Sequence, residues 1–315
     1  MSIYTYINSF LERIKEPNVN RKYKLMRGLS YFAYLNSTFW LNRLIRWVPL
    51  SMGGLNTGKR KERVVASLTT YPGRINEVYY AIKSIMLQTY RPDRIVLWLA
   101  DSQFPDKKLP ESLNKLIKKG LEIRFCDDLR SHKKYFYALQ EQNPDELVIT
   151  FDDDIIYNVY SIERAVKKHK EYPKAIVVNQ AKCMTCDTNG NITPYHEWVI
   201  NTKNKKPSYG LSPLTGSGCL YPYKALAECA FNWGVIKDNA LTADDIWINF
   251  MSKKSGTPIV EVDKPVKRFS TVTNSQTTHL AQINSLQGGN DIIVSRLSKL
   301  YPDVLETIQK AVPTV

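Results

Sequence analysis

Three consecutive carboxylates, Asp152, Asp153 and Asp154, follow directly after the apolar run Glu146–Phe151. Adjacent carboxylates repel one another and raise each other's pKa, so a fold keeps such a cluster most readily when a cation neutralises it. Ligands that are all oxygen favour Mg²⁺ or Mn²⁺ over Zn²⁺. We therefore predict that Asp152 and Asp154 bind a metal, with His279 as a candidate third ligand. A solvated acidic loop and a structural histidine are the alternatives.

A second acidic pair, Asp244 and Asp245, stands at the start of a predicted helix over residues 243–254. The helix dipole favours an ionised carboxylate at this end. An ionised aspartate can then act as a general base that removes a proton from a hydroxyl group. We predict a catalytic role for this pair, with a simple helix cap as the alternative. The choice of base between the two residues stays open.

Basic and glycine-rich segments supply further candidate binding residues. Lys134 stands near the start of a predicted helix after the third strand, where a lysine can reach phosphate oxygens. Gly216 and Gly218 flank Ser217, and two glycines at this spacing allow the backbone to approach a ligand closely. The G-x-G pattern occurs in many turns and the chain has no Walker loop, so neither segment identifies a ligand alone.

Apolar strands alternate with helices from residue 63 onward. This alternation predicts an α/β fold with a mostly parallel sheet, and ligands of such sheets bind at the carboxyl ends of the strands. Polar residues stand at those ends, among them Thr70, Asp101 and the three aspartates. The predicted strands are 64–69, 94–100, 121–126, 146–151 and 175–179. The predicted helices are 75–88, 109–119, 133–140, 161–172, 223–231, 243–254 and, as the last, 291–300, with a hairpin turn at 187–191.

The first 62 residues form a separate predicted segment, basic, amphipathic and helical, ahead of a domain over residues 63–315. Residues 1–63 carry 12 Lys and Arg against 3 Asp and Glu, so most of the net charge of +14 lies here. Basic residues interleaved with aromatic ones at 22–48 suit a helix in a lipid interface, and an amphipathic cap on the main domain is the equal alternative. No run reaches the ~18 apolar residues of a membrane span. We expect a cytoplasmic protein, peripheral on the inner membrane if this segment binds lipid.

Charge and cysteine content narrow the function classes. A basic surface attracts nucleic acid, anionic lipid and nucleotides alike. A nucleic-acid-binding protein should spread its basic residues over one face, whereas here most of the excess precedes residue 64. Five cysteines, an odd number, argue against a disulfide framework, and Cys183 and Cys186 lack the second pair that a zinc site needs. We expect free thiols and no nucleic-acid partner.

With these residues in view, the chain from about residue 63 to 300 resembles the GT-A glycosyltransferases, in particular the family 2-like enzymes of bacterial capsule and lipopolysaccharide gene clusters. The combination of motifs in this order is specific, whereas each piece alone is not. On the nucleotide side, the resemblance rests on residues 67–74 (SLTTYPGR), with Thr70, Tyr71 and Arg74 as a nucleotide loop, on Asp101 as the acid that contacts uridine, and on Lys134 near the nucleotide. The D-x-D metal motif corresponds to Asp152, Asp153 and Asp154. On the sugar and acceptor side, it rests on Gly216, Ser217 and Gly218 beneath the transferred sugar, and on Asp244 and Asp245 before an acceptor helix that carries Trp247.

Two features depart from the pattern of this family. The usual pair of acids after the second strand is reduced to Asp101, with Ala100 before it. The acidic pair before the acceptor helix is Asp-Asp rather than Glu-Asp, which leaves the choice between Asp244 and Asp245 open.

The resemblance implies a GT-A (Rossmann-like) fold and a hexosyltransferase that depends on Mn²⁺ or Mg²⁺. Its donor would be a nucleotide sugar, expected to be UDP-linked, and its acceptor a saccharide or lipid-linked saccharide, with inversion and with Asp245 as base. A sugar-nucleotide nucleotidyltransferase is the nearest alternative, but it would usually carry a glycine-rich basic loop after its first strand. A phosphotransferase would carry its D-x-D after the first strand rather than the fourth.

Overall fold

The structure is a computed structural model that describes residues 3–15, 24–200, 205–266, 269–273 and 288–313. The helices of these residues are α1 (Ile3–Lys15), α2 (Lys24–Trp47), α3 (Val78–Met86), α4 (Glu111–Ile117), α5 (Lys133–Gln140), α6 (Ser161–Glu171), α7 (Trp233–Asn239), α8 (Asp244–Lys254), α9 (Gly289–Leu300) and α10 (Pro302–Ala311). The strands are β1 (Arg63–Thr69), β2 (Arg94–Ala100), β3 (Leu121–Cys126), β4 (Glu146–Phe151), β5 (Ile155–Ile156), β6 (Ile176–Val178), β7 (Ala181–Cys183), β8 (Val199–Ile200), β9 (Leu211–Pro213), β10 (Ser217–Tyr221), β11 (Ile259–Glu261) and β12 (Ser270–Thr271).

A seven-stranded sheet in the order β11-β6-β10-β4-β1-β2-β3 forms the centre of the fold. Its pairs are parallel except at β10, which runs antiparallel between β4 and β6. Consecutive residues of β1, such as Val64 and Val65, point to opposite faces of the sheet and belong to two different apolar clusters, so both faces of the sheet are buried. The prediction of an α/β fold with a mostly parallel sheet is confirmed.

Several predicted elements coincide with the structure, and two do not. The bounds of β2, β3, β4 and α5 agree residue for residue with the prediction. The predicted helix over 223–231 is wrong: Lys224 has a left-handed φ of 56°, which breaks a helix. A 3₁₀ turn at Glu228–Phe231 and then α7 follow. The helix at 291–300 is not the last, because α10 follows it.

The two N-terminal helices pack on the sheet domain through one face. Leu41 and Ile45 of α2 are buried, and Ile45 shares an apolar cluster with Tyr4 and with Val272, which follows β12. The opposite face leaves large side chains in solvent, with Trp47 81% exposed. No helix within the described residues is long and apolar enough to cross a membrane. The division of the chain at residue 62 stays a prediction.

Helices α5 and α8 bring the candidate residues together. α5 packs against β1, β2 and β4 and begins at the edge where these parallel strands end. α8 packs against β9 of a small antiparallel sheet, β8-β7-β9, so that its first turn faces the same edge. β10 begins at this edge as well, because it runs against β4.

Candidate functional site

Asp153 is the buried member of the aspartate triplet, and it joins the triplet to the segment after β1. The Thr70 hydroxyl donates to Asp153 Oδ2 at 2.6 Å, and Arg74 NH1 donates to Asp153 Oδ1 at 2.8 Å. Burial raises the pKa of the Asp153 carboxyl, although Arg74 and Thr70 oppose the shift. Its two oxygens are thus engaged by protein donors, which fixes the position of the neighbouring carboxylates.

Asp154 shares the Arg74 guanidinium with Asp153, at 3.1 Å between NH1 and Asp154 Oδ2. Burial and then the charge of Asp152 raise the pKa of Asp154 to about 7, and Arg74 offsets only part of this. The Val272 N–H donates to the Asp154 carbonyl oxygen at 2.7 Å, which ties this turn to the residue that follows β12. Arg74 Nε is buried and has no hydrogen-bond partner among the described residues.

Asp152 is the most exposed carboxylate of the triplet, with 40% of its side chain accessible. Its backbone N–H donates to the Tyr157 hydroxyl at 2.7 Å, and that hydroxyl donates to the Gly216 carbonyl at 2.6 Å. A β-carbon at Gly216 would fall 1.7 Å from Asp152 Oδ2. The glycine is therefore required by the carboxylate that faces it.

Lys134 connects the two acidic groups of the site. Its ammonium lies 2.6 Å from Asp152 Oδ1 and 3.0 Å from Asp244 Oδ2, and only 4% of its side chain is exposed. Burial disfavours the charged form, but Asp152 and Asp244 outweigh it and raise the pKa of Lys134 above its usual value. A protonated lysine thus lies between the aspartate triplet and the pair Asp244 and Asp245.

The Asp244 and Asp245 carboxyls differ in their surroundings. Asp244 is buried, and Lys134 outweighs the effect of burial and holds the pKa of Asp244 well below its usual value. Burial and then the charge of Asp244 raise the pKa of Asp245 to about 7, while its side chain stays partly exposed. Two carboxyls whose pKa values are pushed apart in this way suit different roles in proton transfer.

Thr215 orients this acidic pair. Its N–H donates to Asp245 Oδ1 at 2.7 Å, and its hydroxyl contacts both Asp244 Oδ2, at 2.8 Å, and Asp245 Oδ1. A hydroxyl has one proton to donate, so it satisfies both carboxyls fully only when one of them carries a proton.

His132 fixes the approach of α5 to the segment before α8. Its ring lies 3.0 Å from the Tyr135 hydroxyl through Nδ1 and 3.0 Å from the Ala240 carbonyl through Nε2. Burial lowers the pKa of His132 to about 4, so it is neutral at physiological pH. It is a positioning group, since both of its ring nitrogens already have partners.

The oxygen ligands of the triplet fit Mg²⁺ or Mn²⁺. No group of three or more His, Cys, Asp and Glu residues in the described part of the chain closes around a metal position. These ions, however, usually bind through one or two carboxylates, with water and substrate phosphates as the other ligands. Burial, and after it the charge of Asp152, raises the pKa of Asp154, and a cation bound to Asp152 and Asp154 would oppose both effects.

The structure brings most of the predicted site residues together, but not all. Asp101 lies in a turn after β2 with 55% of its side chain exposed, and Lys107 is 3.6 Å away. Trp247 is completely buried and its indole N–H donates to Ala230 at 3.0 Å, so it offers no surface to a sugar. That assignment is wrong, because residue 247 faces the core side of α8. His279 lies outside the described residues.

Three other predicted site residues, Ser217, Gly218 and Tyr71, are buried or half-buried beside the site. Ser217 and Gly218 are buried within β10, where the Ser217 hydroxyl accepts from the Gln180 N–H at 3.2 Å. A β-carbon at Gly218 would meet Asn179 Nδ2 at 2.7 Å, so this glycine is explained by packing. Tyr71 is half-buried and lies beside the Arg74 guanidinium, 5.7 Å from ring centroid to Cζ.

Sequence reasoning missed Thr215 and Tyr157 as site residues. Thr215 directly precedes the glycine segment, and its contact with a helix about 30 residues later is visible only once β9 and α8 are packed. Tyr157 lies three residues after the triplet and acts through its hydroxyl on the backbone. No local pattern distinguishes either residue from an ordinary polar or aromatic side chain.

No family model and no curated protein matches this chain. It is similar to the solved structure of the mannosyltransferase PcManGT from Pyrobaculum calidifontis in complex with GDP-Man and Mn²⁺, with 12% identity, a TM-score of 0.46, and coverage of 97% of this chain and 80% of that chain. It is also similar to 4-diphosphocytidyl-2C-methyl-D-erythritol synthase (7% identity, TM-score 0.42, 71% of this chain and 99% of that chain). A third is TarS 1–349 of S. aureus (16% identity, TM-score 0.39, 64% and 59%). At TM-scores below 0.5 these likenesses carry no argument about activity.

Proposed function

We propose that this protein is a metal-dependent glycosyltransferase that moves a sugar from a nucleotide-sugar donor to a hydroxyl group of an acceptor. The observation that carries the proposal is the position of Lys134, which contacts both Asp152 and Asp244. A cluster suited to a metal and a diphosphate thus adjoins a cluster suited to hydroxyl activation, in one site at the carboxyl edge of the sheet. The D-x-D-like triplet and the order of motifs agree with a GT-A enzyme.

Asp245 is the proposed general base. It accepts the proton of the acceptor hydroxyl, whose oxygen then attacks the anomeric carbon as the bond from that carbon to the diphosphate oxygen breaks. A base whose pKa is about 7 is well matched to this task near neutral pH. The Thr215 N–H holds the carboxyl in place, and Lys134 keeps the neighbouring Asp244 ionised. Attack from the face opposite the leaving group inverts the anomeric centre.

Lys134 and Arg74 are the proposed cations on the leaving-group side. A divalent ion on Asp152 and Asp154 would supply Lewis-acid stabilisation of the departing diphosphate. Lys134 places a fixed positive charge beside Asp152, where it needs no reorganisation as negative charge develops. The buried Arg74 Nε, which has no hydrogen-bond partner in the part of the chain that the structure describes, supplies a donor that a ligand can satisfy.

The donor and acceptor classes are part of the proposal. We propose a UDP-linked hexose as the donor and a saccharide or lipid-linked saccharide as the acceptor, in the synthesis of a bacterial surface polysaccharide such as a capsule or lipopolysaccharide. Thr70, Tyr71, Asp101 and Asp153 are the proposed nucleotide-side residues, and Gly216 the proposed sugar-side residue. The exposed position of Asp101 leaves it accessible to a nucleotide.

Nucleotidyl transfer is the nearest alternative at this site. Its nucleophile is a sugar phosphate, which is already ionised and needs no base to remove a hydroxyl proton. The acidic pair with a raised Asp245 pKa therefore favours sugar transfer. Release of inorganic pyrophosphate from a nucleoside triphosphate would identify the alternative.

A thermal-shift screen of nucleoside diphosphates and sugar nucleotides, with and without Mn²⁺, tests the proposal. We expect stabilisation by one nucleotide base, and only with the metal, because a ligand that binds the folded state raises the melting temperature. The variant Asp152→Asn/Asp154→Asn should lose the metal-dependent shift, whereas Asp238→Asn, an exposed aspartate on α7, should keep it. The absence of a shift with every nucleotide would contradict the proposal.

Peripheral contact with the cytoplasmic face of the inner membrane belongs to the same proposal. The outer face of α2 exposes Phe32 (66%), Trp40 (56%) and Trp47 (81%), with Arg43 above the Phe39 ring at 5.0 Å. Aromatic and basic side chains on one surface suit a lipid interface. Replacement of Phe32, Trp40 and Trp47 by serine should release the protein from membranes. Continued sedimentation of this variant with membranes would contradict the contact.

A further inference from the structure

A cavity of about 750 Å³ lies between α1, the start of α6 and residues 263–266. Its volume falls in the range of small-molecule sites. None of the site residues described above lines it, and α1 contributes Ser9 to its wall. The cavity therefore needs an explanation separate from the transfer site.

The walls of this cavity carry an excess of positive charge. Lys167 and Lys264 line it and are exposed, and neither ammonium has a carboxylate partner among the described residues. Arg164 lines it as well and donates from NH1 to the Lys264 carbonyl at 3.2 Å.

Two acids line the same walls. Asp263 Oδ1 lies 2.7 Å from the Lys168 ammonium, which is outside the lining, and Glu163 Oε2 accepts from the Thr89 hydroxyl at 2.5 Å, a hydrogen bond that leaves the carboxylate charge in place. Because Asp263 is paired with Lys168, the charges of Lys167 and Lys264 exceed that of Glu163, which favours an anionic ligand.

A polar atom on the α1 side of the cavity has unfilled hydrogen-bonding capacity. Ser9 lines the cavity, and its Oγ is buried without a partner among the described residues. A buried donor without a partner is costly and points to an unseen polar ligand or water.

Exposed aromatic side chains stand on α1 near the residue through which this helix lines the cavity. Tyr6 is 64% exposed and Phe10 is 52% exposed, and Tyr6 lies three residues before Ser9, a spacing that places them as neighbours on a helix surface. α1 packs against α2, the helix with the exposed tryptophans. A ligand in this cavity would therefore sit beside the surface proposed to contact the membrane.

We propose that this cavity binds the phosphate-bearing headgroup of an anionic lipid, through Lys167, Lys264 and Ser9. Phosphate ester is the ligand chemistry that two lysine ammonium groups and a hydroxyl donor fit. A lipid is the source that the exposed aromatic side chains of α1 favour, because the acyl chains of a lipid bound beside Ser9 would extend toward Tyr6 and Phe10. This inference rests on the proposed membrane contact and is independent of the proposed sugar transfer.

The test is flotation of the full-length protein with vesicles of phosphatidylcholine alone and vesicles that also contain phosphatidylglycerol. Two charge-matched double variants are compared, Lys167→Glu/Lys264→Glu in the cavity and Lys170→Glu/Lys174→Glu, which are exposed on and just after the same helix and outside the lining. All four lysines are exposed, so both variants should fold. Because both variants change the net charge equally, non-specific attraction cancels in the comparison.

We expect the cavity variant to bind phosphatidylglycerol vesicles roughly tenfold more weakly than the control variant or worse. Glycerol 1-phosphate serves as the soluble probe of the headgroup site, and in excess it should weaken the binding of the wild type, but not of the cavity variant, to phosphatidylglycerol vesicles. Equal binding by the two variants overturns the headgroup site. A thermal shift by glycerol 1-phosphate that only the cavity variant loses, with equal vesicle binding, overturns the lipid source and leaves a soluble phosphate ester.

The same experiment distinguishes the proposed headgroup site from the proposed membrane contact and from the proposed sugar transfer. If the wild type floats with neither kind of vesicle, the membrane contact is wrong and the headgroup site is wrong with it. If it floats equally with both kinds, the apolar contact stands and the headgroup site is wrong. Nucleotide binding by the cavity variant should equal that of the wild type in every case, so a failure of sugar transfer is scored separately.

Discussion

Gly216 and Asp152 lie so close that no side chain fits between them: a β-carbon on Gly216 would fall 1.7 Å from Asp152 Oδ2 and 2.1 Å from its Cγ. The closeness follows from the sheet, because the antiparallel β10 begins where β4 ends. Tyr157 reinforces it, since its hydroxyl contacts the backbone of both residues. The glycine thus sets the position of the carboxylate proposed to hold the metal.

The variant Gly216→Ala should lose metal-dependent nucleotide binding. The added methyl group must displace the Asp152 carboxylate, which is the end of a partly exposed side chain, so the loss should fall on ligand binding more than on stability. We expect a nucleotide dissociation constant in the presence of Mn²⁺ at least tenfold higher, measured by calorimetry. The control is Gly54→Ala, whose β-carbon would meet nothing closer than Arg91 NH1 at 3.9 Å. Wild-type affinity in Gly216→Ala would show that Asp152 does not contact the ligand.

Removal of the Lys134 charge should affect both acidic groups at once. Lys134→Met leaves Asp152 and Asp244 without their shared cation, and loss of one partner of a buried ion pair costs about 3–5 kcal/mol. We expect a lower melting temperature together with transfer reduced by at least a hundredfold.

The neighbouring Lys133 provides a matched control for that variant. It is also a buried lysine on α5, and it lies 2.7 Å from Asp128 Oδ1. Lys133→Met should lose stability but keep nucleotide binding and measurable transfer. If Lys133→Met and Lys134→Met impair transfer equally after correction for the folded fraction, Lys134 has only a structural role.

The pH dependence of transfer should report the titration of Asp245. A base works only when deprotonated, so kcat/KM should rise about tenfold per pH unit below the pKa and level off above it, with the bend near pH 7 because the pKa of Asp245 is raised to about 7. The charge of Asp244 is one cause of that rise, after burial. In Asp244→Asn the bend should therefore move to lower pH. A bend that stays in place, or moves to higher pH, would assign the titration to another group.

Most strands of the central sheet could be predicted from the local pattern of apolar residues. β2 and β4 are short apolar runs between turn residues, and their burial on both faces makes the pattern continuous. β3 lies at the edge of the sheet and alternates apolar residues with the partly exposed Glu122 and the exposed Arg124. β10 escaped prediction because its sequence, SGCLY, has a glycine and a serine where a strand usually carries branched residues. Its antiparallel position is decided by long-range pairing with β4 and β6.

The candidate site was predictable in its residue types but not in its contacts. The three aspartates, Lys134 and the acidic pair stand out because charged residues next to buried elements are unusual. The bridge from Lys134 to Asp244 joins residues more than 100 positions apart, and no spacing rule reaches that far. For Trp247 the sequence predicted a contact that the structure lacks. Its place after an acidic pair suggested a ligand contact, but its position on the helix places it in the core.

Transfer by Asp245→Asn tests the central claim most directly. The substitution removes the base but keeps an oxygen that can accept from the Thr215 N–H. We predict that this variant binds the nucleotide sugar and Mn²⁺ with nearly wild-type affinity while its kcat falls by roughly 10²–10⁴-fold. The exposed Asp238→Asn should retain wild-type kcat. Turnover by Asp245→Asn at the wild-type rate would contradict the assignment of this site to hydroxyl activation in sugar transfer.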